Sequence, residues 1–485
     1  MTCTAGALSS ALKSVERPVA PLRRTILWIV VAAISFHLAY QFASLSFLIL
    51  GYLFGMAQLT QAETWRRAFY SGLTVGFLIA IGWLAFFWRI FHLGSVAFWF
   101  VYAFWTGLFA VLGWACFSRF RSNWRWLVLP FLWCGLEYFR SELYYLRFSW
   151  LTPGLAFASS VGLLPFGQLG AYGVGLALMM IACGAAFWWR NSRGGALFSL
   201  LFGLLGLWIW GWSAQSTQDR PPRNHLRIAG VQLEFPTEKQ VCTWLTELVR
   251  RYPESQLLVL SEYTFESPIP ESVRGWCRDH KRYLIVGGKE PLAATNFHNT
   301  AFVISPSGEV VFSQSKVVPI QFFKDGLPAA HQAVWQSSWG KIGICICYDL
   351  SYTRVTDELV RQGAQVLVVP TMDVEDWGKR QHELHGRIGP VRAGEYQIPI
   401  FRLASSGISQ AIDAAGHVLA SAPCPGEGAM ISVNLPLGGS GRLPLDRWLA
   451  PLSSAVTGVV IIALSLHAAT AGARSRSGRG KSEKL

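Results

Sequence analysis

Before residue 215 the apolar residues come in long, nearly charge-free runs, and from about 223 to 445 they fall into the shorter blocks of a soluble α/β protein. A helix that crosses a bilayer needs about 20 mostly apolar residues. Runs of that kind lie at roughly 24–40, 42–59, 69–90, 95–117, 124–141, 164–189 and 195–213, with an eighth at 452–471. The pattern predicts a transmembrane bundle of about seven helices over 25–214, a soluble domain over 223–445, and a closing helix at 452–471. A tail at 1–24 and a basic tail at 472–485 flank them. The first run lacks a small-x-small cleavage site and leads at once into a second, which predicts an uncleaved first span.

Within the soluble half, 226–232, 256–262, 283–288, 341–347 and 365–370 read as strands. Residues 238–251 and 354–362 read as helices. Hairpins are expected over 299–316, turning at Pro306-Ser307-Gly308, and around Asp413-Ala414-Ala415-Gly416. Strands this apolar need cover on one or both faces, which favours a layered α/β sandwich inserted before the last span.

Charge then fixes an expected orientation. Lys13, Arg17, Arg23, Arg24, Arg66, Arg67, Arg119, Arg121, Arg125, Arg190 and Arg193 fall in alternate short loops, and Arg474, Arg476, Arg479, Lys481 and Lys484 crowd the tail. The opposite loops carry Arg89, Arg147 and Arg140. Basic loops stay in the cytoplasm, so both termini are expected there, with the soluble domain in the periplasm of a bacterial inner membrane. The net charge of +14 is thereby used up at the membrane, and no basic stripe interleaved with aromatics points to nucleic acid. Twenty-two Trp and 31 Phe, mostly in the first half, suit interfacial aromatic belts. The nine cysteines form no CxxC pair and no metal spacing, so neither a metal nor a cofactor is indicated. A disulfide among Cys242, Cys277 and Cys424 stays open.

Glu137 and Arg140 stand three apart near the end of the fifth span, where charges are costly and tend to be paired or functional. They read either as a simple ion pair or as a polar mouth that receives lipid head groups.

The candidate chemistry lies at strand ends. Cys347 closes Lys-Ile-Gly-Ile-Cys-Ile-Cys-Tyr-Asp-Leu (341–350), with Glu262 after one strand and Lys316 after a hairpin. A thiol attacks a carbonyl only as thiolate. Glu262 is suited to take its proton and later deliver it to a leaving group. Lys316 is suited to stabilise the thiolate and the oxyanion. Cys345, two residues earlier, competes for the nucleophile's role; Cys347 is preferred because it directly precedes the polar turn Tyr348-Asp349.

The stretch from about 226 to 434 resembles the nitrilase superfamily, whose αββα fold uses a Glu-Lys-Cys triad. The resemblance rests on Leu-Ser-Glu-Tyr-Thr (260–264), Ser-Lys-Val-Val-Pro (315–319), Ile-Cys-Tyr-Asp-Leu (346–350), Arg392-Ala-Gly-Glu395, Pro399 to Gly407, and Ile412-Asp-Ala-Ala-Gly416. The membrane half, with Leu129 to Arg140, Phe-Ser-Trp (148–150) and Gly-Ala-Tyr-Gly-Val-Gly (170–175), is similar to the apolipoprotein N-acyltransferase family. That resemblance implies an acyl chain taken from a membrane phospholipid onto Cys347 as a thioester. From there it would pass to the α-amine of a diacylglyceryl-cysteine on an apolipoprotein. It implies catalytic roles for Glu262, Lys316 and Cys347, with Tyr348, Asp349 and Gln321 in support. Four positions depart from the family pattern. Asp349 stands where Glu is usual, and Ser261 where Pro is usual. Gln321 or Asp325 must replace a second Glu, and Met372-Asp373 replaces Asn-Asp. A membrane-bound amidase with water as acceptor uses the same triad, and a non-catalytic lipoprotein-handling module is a third class.

Overall fold

The computed structural model describes residues 22–120, 123–190, 224–293 and 296–482. The expected span at 195–213 and the N-terminal tail lie outside the described residues, except for the tail's last three.

In the membrane half the helices are α1 (Leu22–Gln41), α2 (Ile49–Leu59), α3 (Trp65–Trp83), α4 (Phe87–Phe91), α5 (Ser95–Arg119), α6 (Arg125–Tyr138) and α7 (Phe166–Arg190). A long helix, Asp446–Ser482, follows the soluble domain. Among the described residues four stretches are long and apolar enough to cross a membrane: Leu22–Gln41, Phe87–Arg119, Phe166–Trp189 and Asp446–His467. The run expected at 42–59 is a shorter apolar helix because its first turn, Ala43–Leu48, is a tight 3-10 turn. Large apolar side chains such as Ile34, Phe47, Ile181 and Ile462 face outward from the bundle, as they do in a protein solvated by lipid. The chain is a membrane protein with a soluble-type domain attached.

Two six-stranded sheets build that domain. The first runs in the order β12-β1-β2-β3-β4-β5 and the second β11-β10-β9-β8-β7-β6. In the first, β1 is Asn224–Val231, β2 Leu257–Val259, β3 Tyr283–Ala293, β4 Asn296–Ile304, β5 Val310–Ser315 and β12 Met430–Leu437. The second holds β6 (Val334–Gln336), β7 (Lys341–Ile344), β8 (Val366–Thr371), β9 (Ile400–Ala404), β10 (Ser409–Ile412) and β11 (Val418–Ala422). Ile228, Val259 and Ile285 of one sheet meet Ile344, Val368 and Phe401 of the other in a fully buried middle layer. Helices Glu238–Arg251 and Glu271–His280 cover the first sheet through Leu245, Leu248 and Val273. Helices Thr353–Arg361, Lys379–Gly386 and Ile388–Tyr396 cover the second, and their apolar cluster continues without a break into the bundle. The result is an αββα sandwich with one helical layer fused to the membrane half.

Polar contacts secure that fusion. Gly170 breaks α7 with φ +72°, and a Cβ there would lie 2.1 Å from the Asp446 carboxylate. The bare backbone lets Ala171 N donate to Glu395 Oε1 at 2.5 Å and Tyr172 N to Asp446 Oδ2 at 3.0 Å. Two helix N-terminal amides thus meet carboxylates, the arrangement the helix dipole favours. Arg392 and Arg447 balance the buried charge, at 2.5 Å from Glu395 Oε2 and 2.8 Å from Asp357 Oδ1.

The Glu137–Arg140 ion pair that the spacing allows is not formed. The α-helical register is lost at a π turn, Phe139–Leu143, and Arg140 Nη1 donates to the Phe148 carbonyl at 2.6 Å instead. Every described cysteine is a free thiol, so no disulfide links Cys242, Cys277 and Cys424.

Candidate active site

Glu262, Lys316 and Cys347 each lie just beyond a strand: β2, β5 and β7. β2 and β7 belong to the two sheets that share the buried middle layer, so residues 85 apart in sequence converge. Lys316 Nζ donates to Glu262 Oε1 at 2.8 Å, and both side chains are almost wholly buried. Lys316 also meets Asp325 Oδ2 at 2.7 Å. Asp325, not Gln321, is therefore the second carboxylate on the lysine. Gln321 turns its amide to the Tyr145 carbonyl of the membrane half.

The other side chains hold the pair in register. Asn299 Nδ2 donates to Glu262 Oε1 at 2.6 Å and to Asp325 Oδ1 at 2.9 Å; Tyr263 OH donates to Asp325 Oδ1 at 2.8 Å. The Met372 N–H reaches Glu262 Oε2 at 2.8 Å, while the Met372 carbonyl accepts from Cys347 Sγ at 3.7 Å. Asp349 accepts from the N–H groups of Val317, Val318 and Ile346 at 3.2, 2.7 and 3.2 Å. Tyr348 OH donates to the Arg147 carbonyl at 3.2 Å, tying the nucleophile's turn to the bundle.

Three non-glycine residues here adopt positive φ: Cys347 at 52°, Tyr263 at 52° and Phe322 at 69°. Such backbone persists where the surroundings over-determine it, commonly at functional sites. It also separates the two competing cysteines. β7 ends at Ile344, so Cys345 and Cys347 do not share a strand face. Cys345 enters the cluster under the outer helices, and Cys347 starts a 3-10 turn beside Glu262 and Lys316.

Burial raises the Glu262 carboxyl above its ordinary range, with Lys316 pulling the other way. Burial also opposes the charge on Lys316, but Asp325 and Glu262 outweigh it and keep the ammonium protonated well beyond its usual range. Burial, and then the Glu262 carboxylate, push the Cys347 thiol well up. The resting site is therefore a thiol beside a carboxylate–ammonium pair: the proton has a place to go, but has not yet moved.

Cys347 is almost fully buried, yet it lines a cavity with about 980 Å³ of empty space including its mouth. Most of the wall comes from the membrane half, with Phe87, Phe98 and Trp105, and the rest from the catalytic-site loops, chiefly Ile320–Phe323 with Trp377. A neighbouring cavity that shares Ile320, Phe323 and Trp377 with it is lined by Glu262 and Asp325.

Sequence reasoning missed Asn299 and the cluster behind Met372, where Asp373 holds Arg402 and the His385 Nδ1 (2.8 Å). The hairpin signalled Asn299: with Thr300 opposite Ser315, the next pair outward is Asn299 and Lys316.

A carbon-nitrogen hydrolase family model matches residues 238–444, and a model of the apolipoprotein N-acyltransferase N-terminal domain matches 29–184. The two sit in tandem over most of the chain. The chain is thus similar in both halves to the apolipoprotein N-acyltransferase family, within the nitrilase superfamily. Relatives of that name include one from Geobacter metallireducens, 26% identical over 31% of this chain and 33% of its own. Another, from Bdellovibrio bacteriovorus, is 25% identical over 36% of this chain and 39% of its own. The matches thus span little more than a third of these relatives' length. A formamidase from Bacillus cereus is 28% identical over 24% of this chain and 41% of its own. Among solved structures, a carbon-nitrogen hydrolase from Helicobacter pylori aligns over 49% of this chain and 93% of its own, with 17% identity and a TM-score of 0.39.

Proposed function

We propose that the protein takes an acyl chain from a membrane phospholipid onto Cys347 and passes it to the α-amine of the N-terminal diacylglyceryl-cysteine of an apolipoprotein. The observation that carries this reading is the position of the thiol: Cys347 stands between a buried Glu262–Lys316 pair and an apolar cavity walled by membrane helices.

In the first half-reaction Sγ attacks the ester carbonyl while its proton passes to Glu262. The Lys316 ammonium stabilises the oxyanion, and collapse expels the glycerol oxygen of a lysophospholipid, which takes the proton back from Glu262. The thioester remains. In the second half the neutral amine attacks the thioester carbonyl, Glu262 accepts the nitrogen's proton, and the thiolate leaves and is reprotonated. Tyr348, Asp349 and Asp325 hold the three groups in place, and Gln321 lines the cavity wall. The Lys and Arg residues crowd one set of alternate short loops, so the catalytic domain is read as periplasmic, with both termini in the cytoplasm.

An amidase that uses water is the weaker reading, because the cavity in front of Cys347 is lined mainly by apolar side chains, Phe87, Phe98 and Phe322 among them, which suit an acyl chain. Mass spectrometry of lipoprotein N-termini from cells with and without the gene tests the choice. Loss of the third acyl chain on deletion is expected; its persistence would favour hydrolysis.

A further inference from the structure

Beneath the cavity that holds Cys347 lies a second one, inside the bundle. It has about 360 Å³ of empty space, and its walls are the rings of Tyr52, Tyr102, Trp105, Phe109 and Trp133 with the carboxylate of Glu137. Glu137 is 6% exposed, and neither of its oxygens has a hydrogen-bond partner within normal reach among the described residues. Arg140, the nearest cation in sequence, is committed to the Phe148 carbonyl and stacks 5.1 Å from the Tyr102 ring centre. A buried carboxylate with no partner is among the costliest groups a protein can hold. Around it in the same cavity stand aromatic rings, which attract cations, and the Arg140 side chain. The indole N–H of Trp105 has no hydrogen-bond partner among the described residues, and that of Trp133 stands beside the Glu137 carboxylate. The π turn that follows Glu137 belongs to a class of helix defect found often at functional sites.

We infer that Glu137 and its ring of aromatics form a binding subsite for a primary ammonium group. Tyr102, Trp105 and Arg140 line both cavities, so a ligand seated at Cys347 can extend into this one. The inference rests on the acyl-transfer reading above, which supplies two sources of a primary ammonium: an ethanolamine head group on the donor, or the α-amine of the acceptor in its protonated form. Each carries acceptor oxygens a few bonds from the nitrogen, which suits the Trp105 indole N–H.

The full-length protein is assayed in vesicles of phosphatidylethanolamine or of phosphatidylglycerol for thioester on Cys347, then for transfer to a diacylglyceryl-cysteine peptide. With Glu137→Gln, one of two results supports the subsite. Either the ethanolamine-to-glycerol ratio of thioester formation falls by about tenfold or more, which names the donor. Or that ratio holds while KM for the peptide rises by about tenfold, which names the acceptor. An unchanged ratio and KM, or equal slowing of every substrate, overturns it. Should the variant not fold, dodecylammonium below its micellar concentration must inhibit the wild type more than dodecanol does; equal inhibition overturns the subsite. Absence of thioester from either lipid on the wild type rejects the acyl-transfer reading instead, and the subsite then stands or falls on the dodecylammonium comparison.

Discussion

The Asp349 carboxylate accepts the Val318 N–H at 2.7 Å, and so fastens the segment that carries Lys316 to the turn that carries Cys347. One short side chain bridges the two sheets at the point where the reaction needs them to agree. Asp349→Ala releases three N–H groups at once. It is expected to lower kcat for thioester formation by about 10–100-fold with little change in KM, as loss of supporting contacts commonly does. A rise in KM alone would assign Asp349 to substrate binding instead.

Burial pushes Asp349 up to about 6, and burial also raises Glu262. Both must be ionised, one to accept backbone N–H groups and one to accept the thiol proton. Thioester formation should therefore climb with pH through about 6, higher than the ordinary carboxyl range of about 4. Lys316 adds no alkaline limb below its raised value. A pH–rate profile flat from 4 to 7 would contradict this.

Asp325 and Gln321 separate in the same assay. Asp325→Asn removes the charge 2.7 Å from Lys316 and leaves Glu262 as the one carboxylate paired with the ammonium among the described residues. The expected loss is about 10–100-fold in kcat, because breaking a buried pair costs several kcal/mol. Gln321→Ala should change kcat by less than about threefold, the scale of a half-exposed group bonded at one point.

How far the sequence foretold these roles depended on how local each one is. Helix Glu238–Arg251 was legible to the residue, since Thr237 and Gln240 form a capping box ahead of an amphipathic run. The triad was legible as residues at strand ends. β2 was read too long, to 262, because Leu260 is as apolar as a strand residue; the regular strand ends at Val259, and backbone bonds at Leu260 and Ser261 continue toward β3 before Glu262 leaves the sheet. Asp325 was left level with Gln321 because only the reversal at Phe322 (φ 69°) returns the chain to Lys316. Spacing alone suggested a Glu137–Arg140 pair, and a π turn that no composition signals undid it.

Gly170 gives the fusion of bundle and domain its own test. Gly170→Ala adds a Cβ at φ +72° against the Asp446 carboxylate. It should lower thermal stability by about 2 kcal/mol or more, from backbone strain and the lost contact at Tyr172. Unchanged melting would mean that this junction is not held as described.

Acylation of Cys347 by a phospholipid is the step on which the proposed reaction depends. Full-length protein is incubated with a phospholipid labelled in its acyl chain, and Cys347 is examined by mass spectrometry for a hydroxylamine-sensitive adduct. The account predicts label on the wild type, none on Cys347→Ala, and strongly slowed labelling on Glu262→Gln. No label on the wild type, or equal label on Cys347→Ala, would contradict it.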